Sequence, residues 1–129
     1  MARSYDTRVV ALTINAPIKW VDNLLSHHDI PGVAGGRQGV SRRIGDTGLL
    51  AIELTRVFNA ELQVPVARAV ALARQILASG SEVARCETAS GVALSVRLRD
   101  VETRLHRQLV QGLESAAVVR RGRPAGRRR

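Results

Sequence analysis

Short apolar faces alternate along the chain with polar and glycine-rich breaks, and their spacing predicts most of the elements. Residues 6–13 (DTRVVALT) read as a short helix or a strand, the valines favouring a strand by propensity. The residues that follow favour the helix. Ile14-Asn15-Ala16-Pro17 has the make-up of a tight turn, and Pro17 suits the first turn of a new helix. Beyond it Ile18, Val21, Leu24 and Leu25 fall at i, i+3, i+6 and i+7, an apolar helical face running to about His28. Asp29-Ile30-Pro31-Gly32 ends that helix. In residues 33–44 (VAGGRQGVSRRI), Val33, Val40 and Ile44 flank a glycine-rich centre, which predicts a β-hairpin with Gly35-Gly36 near its tip. Asp46 or Thr47 is placed to cap a third helix with a broad buried face of Leu49, Leu50, Ile52, Leu54, Val57, Phe58 and Leu62. Val64-Pro65 opens a fourth, with Ala69, Leu72, Ala73, Ile76 and Leu77 inward, and Gly80 stops it.

Ser79-Gly80-Ser81 is a flexible break. After it, Glu82 to Glu87 and Val92 to Leu98 are strand-like and joined by Thr88-Ala89-Ser90-Gly91. Val92, Leu94, Val96 and Leu98 alternate, giving one apolar face. Asp100 is expected to cap a helix from Val101 to about Val118, along which Val101, Leu105, Leu109 and Leu113 repeat every four residues. A hairpin and one helix are too small to bury their own face, so either the first half or a second copy must cover it. Two short helices joined by a turn of three or four residues make a helix-turn-helix, and the glycine-rich hairpin beyond them is a wing. The expected fold is therefore α+β and mainly helical: a winged helix-turn-helix with two packing helices (5–80), then a β-hairpin and a C-terminal helix (81–119, a candidate dimerisation element), then a disordered basic tail (120–129).

Composition narrows the class. The 129 residues make one ordinary domain or a small domain with an appendage. Aromatics are 2% of the chain, namely Tyr5, Trp20 and Phe58, so the core must be built from Leu, Val, Ile and Ala. No apolar run is long enough to span a bilayer, and the N-terminal residues lack a signal-peptide pattern. Cys86 is the only cysteine, which excludes an intrachain disulfide and makes a reducing, cytoplasmic setting the expectation. The net charge of +9 is unevenly placed. Six of the 20 basic residues lie in 120–129 with no acid among them, leaving 14 basic against 11 acidic residues elsewhere. Such a block repels itself and stays disordered until it meets a polyanion. Lys19 is the sole lysine; the arginines present planar forks that match phosphate and base edges.

From Val9 to Ile44 the chain resembles the winged DNA-binding domain of the MerR and phage excisionase families. The resemblance rests on Ala11, the Ile14-Asn15-Ala16-Pro17 turn, Trp20, Val21 and Leu24, the Ile30-Pro31-Gly32 exit and the glycine-arginine segment through Arg42-Arg43-Ile44. It implies that the second helix enters the major groove, presenting Lys19, Asp22, Asn23 and Ser26, and that Arg37, Gln38, Ser41, Arg42 and Arg43 on the wing meet the adjacent backbone. Two departures stand out: Asn15 sits where a glycine is common, and the recognition helix carries one basic residue together with Asp22, which shifts phosphate anchoring to the wing. In the tail, Arg121-Gly122-Arg123-Pro124 is identical to the core of the AT-hook, a minor-groove motif. The minor groove over A·T pairs is narrow and strongly negative and attracts inserted arginines. Gly122 lets the backbone lie deep, Pro124 favours an extended path, and Arg120, Arg127, Arg128 and Arg129 reach phosphates on either side.

Enzymatic chemistry finds little support. His27 and His28 are adjacent and diverge by about 100° on a helix. His106 is remote, and one cysteine without a His/Asp/Glu cluster argues against a metal or other cofactor. Gly32, Gly35, Gly36 and Gly39 are not followed by the Gly-Lys-Ser/Thr of a phosphate loop. Trp20 has the register of a core residue. The expectation is a non-enzymatic, nucleoid-located transcriptional regulator or nucleoid-associated factor that binds double-stranded DNA, with an A·T preference from the tail, as a homodimer. Two rivals remain: a phage or toxin–antitoxin accessory protein whose second half (81–119) binds a protein partner, and an RNA- or ribosome-associated protein.

Overall fold

The computed structural model describes residues 3–36 and 40–122. Among them are five helices and two small sheets, so the chain is α+β and mainly helical. In order, β1 (Ser4–Tyr5) leads into α1 (Thr7–Ile14) and α2 (Ile18–His27). Next come β2 (Val33–Ala34), β3 (Arg43–Gly45), α3 (Asp46–Ala60) and α4 (Val66–Ser79). β4 (Val83–Glu87), β5 (Ala93–Arg97) and α5 (Leu98–Gly122) complete it. The first sheet has the order β1-β3-β2, antiparallel throughout; β4 and β5 form the second, also antiparallel.

The segment 6–13 resolves as helix rather than strand, with Asp6 as the N-cap and the helix running Thr7–Ile14. The Asp6 carboxylate accepts the Val9 N–H at 2.9 Å and so caps an otherwise unpaired donor. Val9 and Val10, strand formers by propensity, are buried, and the packing gained there outweighs their preference. Asn15 ends α1 in the left-handed region (φ 56°), the conformation for which glycine is usual at that point of the turn. α2 starts after Pro17, and α4 starts after Pro65 and stops at Gly80, as their sequences predict.

Several expectations need correction. β1 is an unforeseen third strand; its Tyr5 pairs with Ile44. Gly45 occupies the N-cap position of α3 with no side-chain cap, and Asp46 is its first residue. The Asp46 carboxylate instead accepts the Tyr5 hydroxyl at 2.9 Å. Leu62 is 51% exposed because α3 ends at Ala60 and leaves it in the connection to α4. Val92 is 65% exposed, held in the hairpin turn by its N–H donating to Thr88 Oγ1. Asp100 caps nothing: α5 begins at Leu98, directly after β5, and Asp100 lies in its first turn. Leu113 is 41% exposed. A four-residue repeat advances 40° per step around an α-helix, so the row rolls off the buried face, and Gly112 and Ala116 are buried in its place. α5 also runs through Gly122, so Arg120, Arg121 and Gly122 continue a helix where a disordered tail was expected.

One contiguous core crosses the Ser79–Ser81 break. Val10, Ile14, Ile44, Ile52, Leu54, Phe58, Ala73, Ile76, Ala84, Leu105 and Leu109 all belong to it. The first half covers the second: α5 lies along α1, and β4 packs on α4. The inner face of α5, one part of the candidate dimerisation element 81–119, is therefore occupied within the chain. Gly112 makes this close crossing possible, since a Cβ there would stand 2.5 Å from Thr13 Oγ1. A further link joins α5 to α3. The fully buried Glu53 accepts hydrogen bonds from Arg56 (2.6 and 3.1 Å) and from Arg104 (2.7 Å). Arg104 also donates to Gln108 at 2.9 Å.

Candidate nucleic-acid interface

α2 is amphipathic, but Ile18, which its spacing assigns to the apolar face, is 47% exposed at the start of the helix. Val21 and Leu24 are buried and Trp20 and Leu25 pack against the core from its edge. Lys19, Asn23, Ser26 and His27 are exposed on the opposite face, with Asp22 between them. Spacings of three and four residues place Lys19, Asp22, Asn23 and Ser26 on one strip. The His27 Nδ1 is 2.8 Å from the Asn23 carbonyl oxygen one turn back, a contact that orients the ring.

The hairpin lies beside this strip. Val33 pairs with Ile44 and Ala34 with Arg43, and the fully buried Ile44 anchors β3 in the core. Toward the tip, the Gly36 N–H donates to the Val40 carbonyl at 3.1 Å. Gly35 has φ +81°, and a Cβ on it would lie 2.3 Å from the Ser41 carbonyl oxygen, so only glycine fits. Ser41 and Arg43 are exposed, as a contact role requires. Arg42 is not. Its side chain is 22% exposed, with Nη2 donating to Ser26 Oγ at 2.8 Å and Nη1 3.4 Å from Asp22 Oδ1. Two expected contact residues, Arg42 and Ser26, are thus engaged with each other. Arg37 and Gln38 lie outside the described residues.

Arg8 was missed by the sequence reading. It is exposed on α1 and lines a recess of about 420 Å³ with Asp6, Thr7, Gly36, Val40, Ser41 and Arg42. No local signal marks it; α1 comes beside the hairpin only through the β1–β3 pairing and the core. The Glu53 cluster was also missed. The i, i+3 pair with Arg56 is readable in the sequence, but Arg104 comes from a helix 51 residues away. Hydrogen bonding from Arg56 to Glu53 raises the guanidinium pKa further, with burial opposing, so it stays charged. This cluster is an interior clamp between α3 and α5.

Of the tail, Arg120, Arg121 and Gly122 lie on the last turn of α5, while Arg123, Pro124, Arg127, Arg128 and Arg129 lie outside the described residues. Elsewhere, a mixed-charge groove of about 830 Å³ separates the start of α3 from α5, with Leu49, Leu50, Leu105 and Leu109 on its floor. Among the described residues no three His, Cys, Asp or Glu side chains gather as a metal site, and no helix is long and apolar enough to cross a membrane. No known protein family, curated protein or solved structure matches this chain.

Proposed function

We propose that the chain is a non-enzymatic DNA-binding protein, a transcriptional regulator or nucleoid-associated factor located on the nucleoid. In this reading α1 and α2 form a MerR/excisionase-like helix-turn-helix and the β2–β3 hairpin is its wing. The observation that carries it is the exposed pair Lys19 and Asn23 on α2, standing beside a hairpin that presents Ser41 and Arg43. A helix with a free polar face reads base edges in the major groove, and adjacent cations fix its register on the phosphates.

The tail adds a second contact in minor-groove form. An extended Arg-Gly-Arg-Pro path requires the last residues of α5 to unwind. That costs little, because Gly122 is a poor helix residue by about 1 kcal/mol and Arg123 precedes a proline, which disfavours helix there. Tethering two modest contacts raises the effective concentration of the second. A homodimer would double the site read; with the inner face of α5 covered by α1, what 81–119 leaves for it is the outer side of that helix and the hairpin, where Val83, Val92, Val110, Leu113 and Val118 are exposed. The same packing supports reading 81–119 as part of one body over a segment that waits for a protein partner.

The test is binding to duplex DNA against structured RNA of equal length across a salt series, with and without residues 120–129. Removing the tail is expected to weaken duplex binding broadly and to flatten its salt dependence. Preference for RNA at equal salt would refute the reading, and an unchanged salt slope would remove the tail from the mechanism.

A further inference from the structure

Most described residues in the outer half of the β2–β3 hairpin are exposed. Ala34, Gly35, Gly36, Ser41 and Arg43 are exposed, and Val40 is 55% exposed. Among the described residues of the hairpin, only Val33 and Ile44, at the base, reach the core. Arg42 is the exception, and its burial does not come from packing into the core. Its stem lies along Gly36, where a Cβ would stand 3.1 Å from both Arg42 Cγ and Nε. Its guanidinium crosses to α2 and forks over Ser26 and Asp22. Those two residues are one helical turn apart on the same strip, so a planar fork meets both, as a lysine ammonium would not.

The arrangement also accounts for an acid in the middle of a face that would meet phosphate. Left alone, Asp22 would repel the backbone; paired with Arg42, it cancels one positive charge and holds the hairpin in place. Lys19, Arg8 and Arg43 remain without an ion pair among the described residues.

We propose that Arg42 is a positioning residue: it clips the hairpin onto α2, with Asp22 and Ser26 as its seat, and so sets the distance between groove-reading and backbone-contacting groups. This rests on the DNA-binding reading for its consequence, but the clip itself is a property of the free protein. Arg43, Arg8 and Lys19, not Arg42, then meet phosphates.

Hydrogen exchange of the full-length protein without DNA tests the clip directly. In R42A the hairpin amides, Gly36 among them, lose about tenfold protection, the scale of one charge-assisted, partly exposed pair, while amides of buried α3 residues are unchanged. R42K, which keeps the charge but not the fork, behaves like R42A, and D22N loses part of the same protection. In duplex binding R42A is expected to lower affinity at every salt concentration while leaving the salt slope as in the parent. Unchanged hairpin protection in both R42A and D22N would overturn the proposal. So would a slope reduced by about 0.9, the signature of one lost phosphate contact. If the parent protein binds no duplex at all, the functional reading fails, and exchange still decides the clip.

Discussion

Replacing Gly112 with alanine sets two effects of opposite sign against each other. Gly112 sits inside α5, where alanine is favoured over glycine by about 1 kcal/mol. By propensity alone, G112A should stabilise the protein. Packing opposes this. The new methyl would stand 2.5 Å from Thr13 Oγ1 and 3.2 Å from both the Cα and the N of Thr13. The two longer contacts are to backbone and cannot be relieved by a rotamer change. Nor can the hydroxyl move freely, since Thr13 is 1% exposed and its Oγ1 donates to the Val9 carbonyl at 2.7 Å. Rotating it away would sacrifice a buried hydrogen bond, about 1 kcal/mol net. Forcing α1 and α5 apart is an overpacking cost of about 1–3 kcal/mol. Sterics should win, leaving G112A less stable by about 1–2 kcal/mol. Urea unfolding followed by far-UV circular dichroism measures this; with a slope of about 1–3 kcal/mol per molar, the midpoint should fall by roughly 0.5–1 M. In a Thr13→Ala background the closest contact is gone, and the penalty of G112A should shrink by about half. A G112A protein as stable as the parent, or more so, would show that α1 and α5 do not cross this closely.

Three further outcomes follow from the same reasoning. Glu53→Gln leaves two arginines facing a neutral interior group and should cost about 3 kcal/mol, whereas R104A should cost about 1 kcal/mol, since Arg104 is 40% exposed and screened; equal midpoints for E53Q and the parent would refute the clamp. Asn15→Val, placing a β-branched residue at φ 56°, should cost about 1–2 kcal/mol, while Asn15→Gly should be neutral or slightly stabilising, both read from thermal midpoints. Tyr5, the only tyrosine, has its pKa raised above 10.0 by burial first and then by the hydrogen bond to Asp46. The folded state therefore holds this proton more tightly than the unfolded chain, and the associated stability is complete below pH 10 and is lost as pH rises through the folded-state value. The phenolate absorbance should titrate higher in buffer than in concentrated urea; coincident curves would contradict the burial.

Local features with their own physical cause were legible without the fold. The Asn15–Pro17 turn, the starts at Pro17 and Pro65, the stop at Gly80 and the hairpin about Gly35-Gly36 each follow from dihedral preferences of single residues. The apolar faces of α2, α3 and α4 follow from 3.6-residue periodicity. Features without such a signal were missed. β1 is two residues long, too short for any period to show. The N-cap of α3 is a glycine, which has no side chain to signal it. The rows of α5 diverged because a four-residue repeat and a 3.6-residue helix drift apart, which placed Leu113 outside and Gly112 inside.

The candidate site divides the same way. Which residue types occupy the α2 face and the hairpin, and the concentration of positive charge after Val119, are properties of the chain alone. Which of those side chains stand free depended on neighbours distant in sequence: Arg42 was drawn onto Asp22 and Ser26, Arg8 was brought beside the hairpin, and the apolar face of the last helix was taken up by α1. Periodicity reports which face of an element is apolar, because that is set by geometry within the element. It carries no information on which partner covers that face or which charges meet across it, because those contacts form only when segments tens of residues apart share one core.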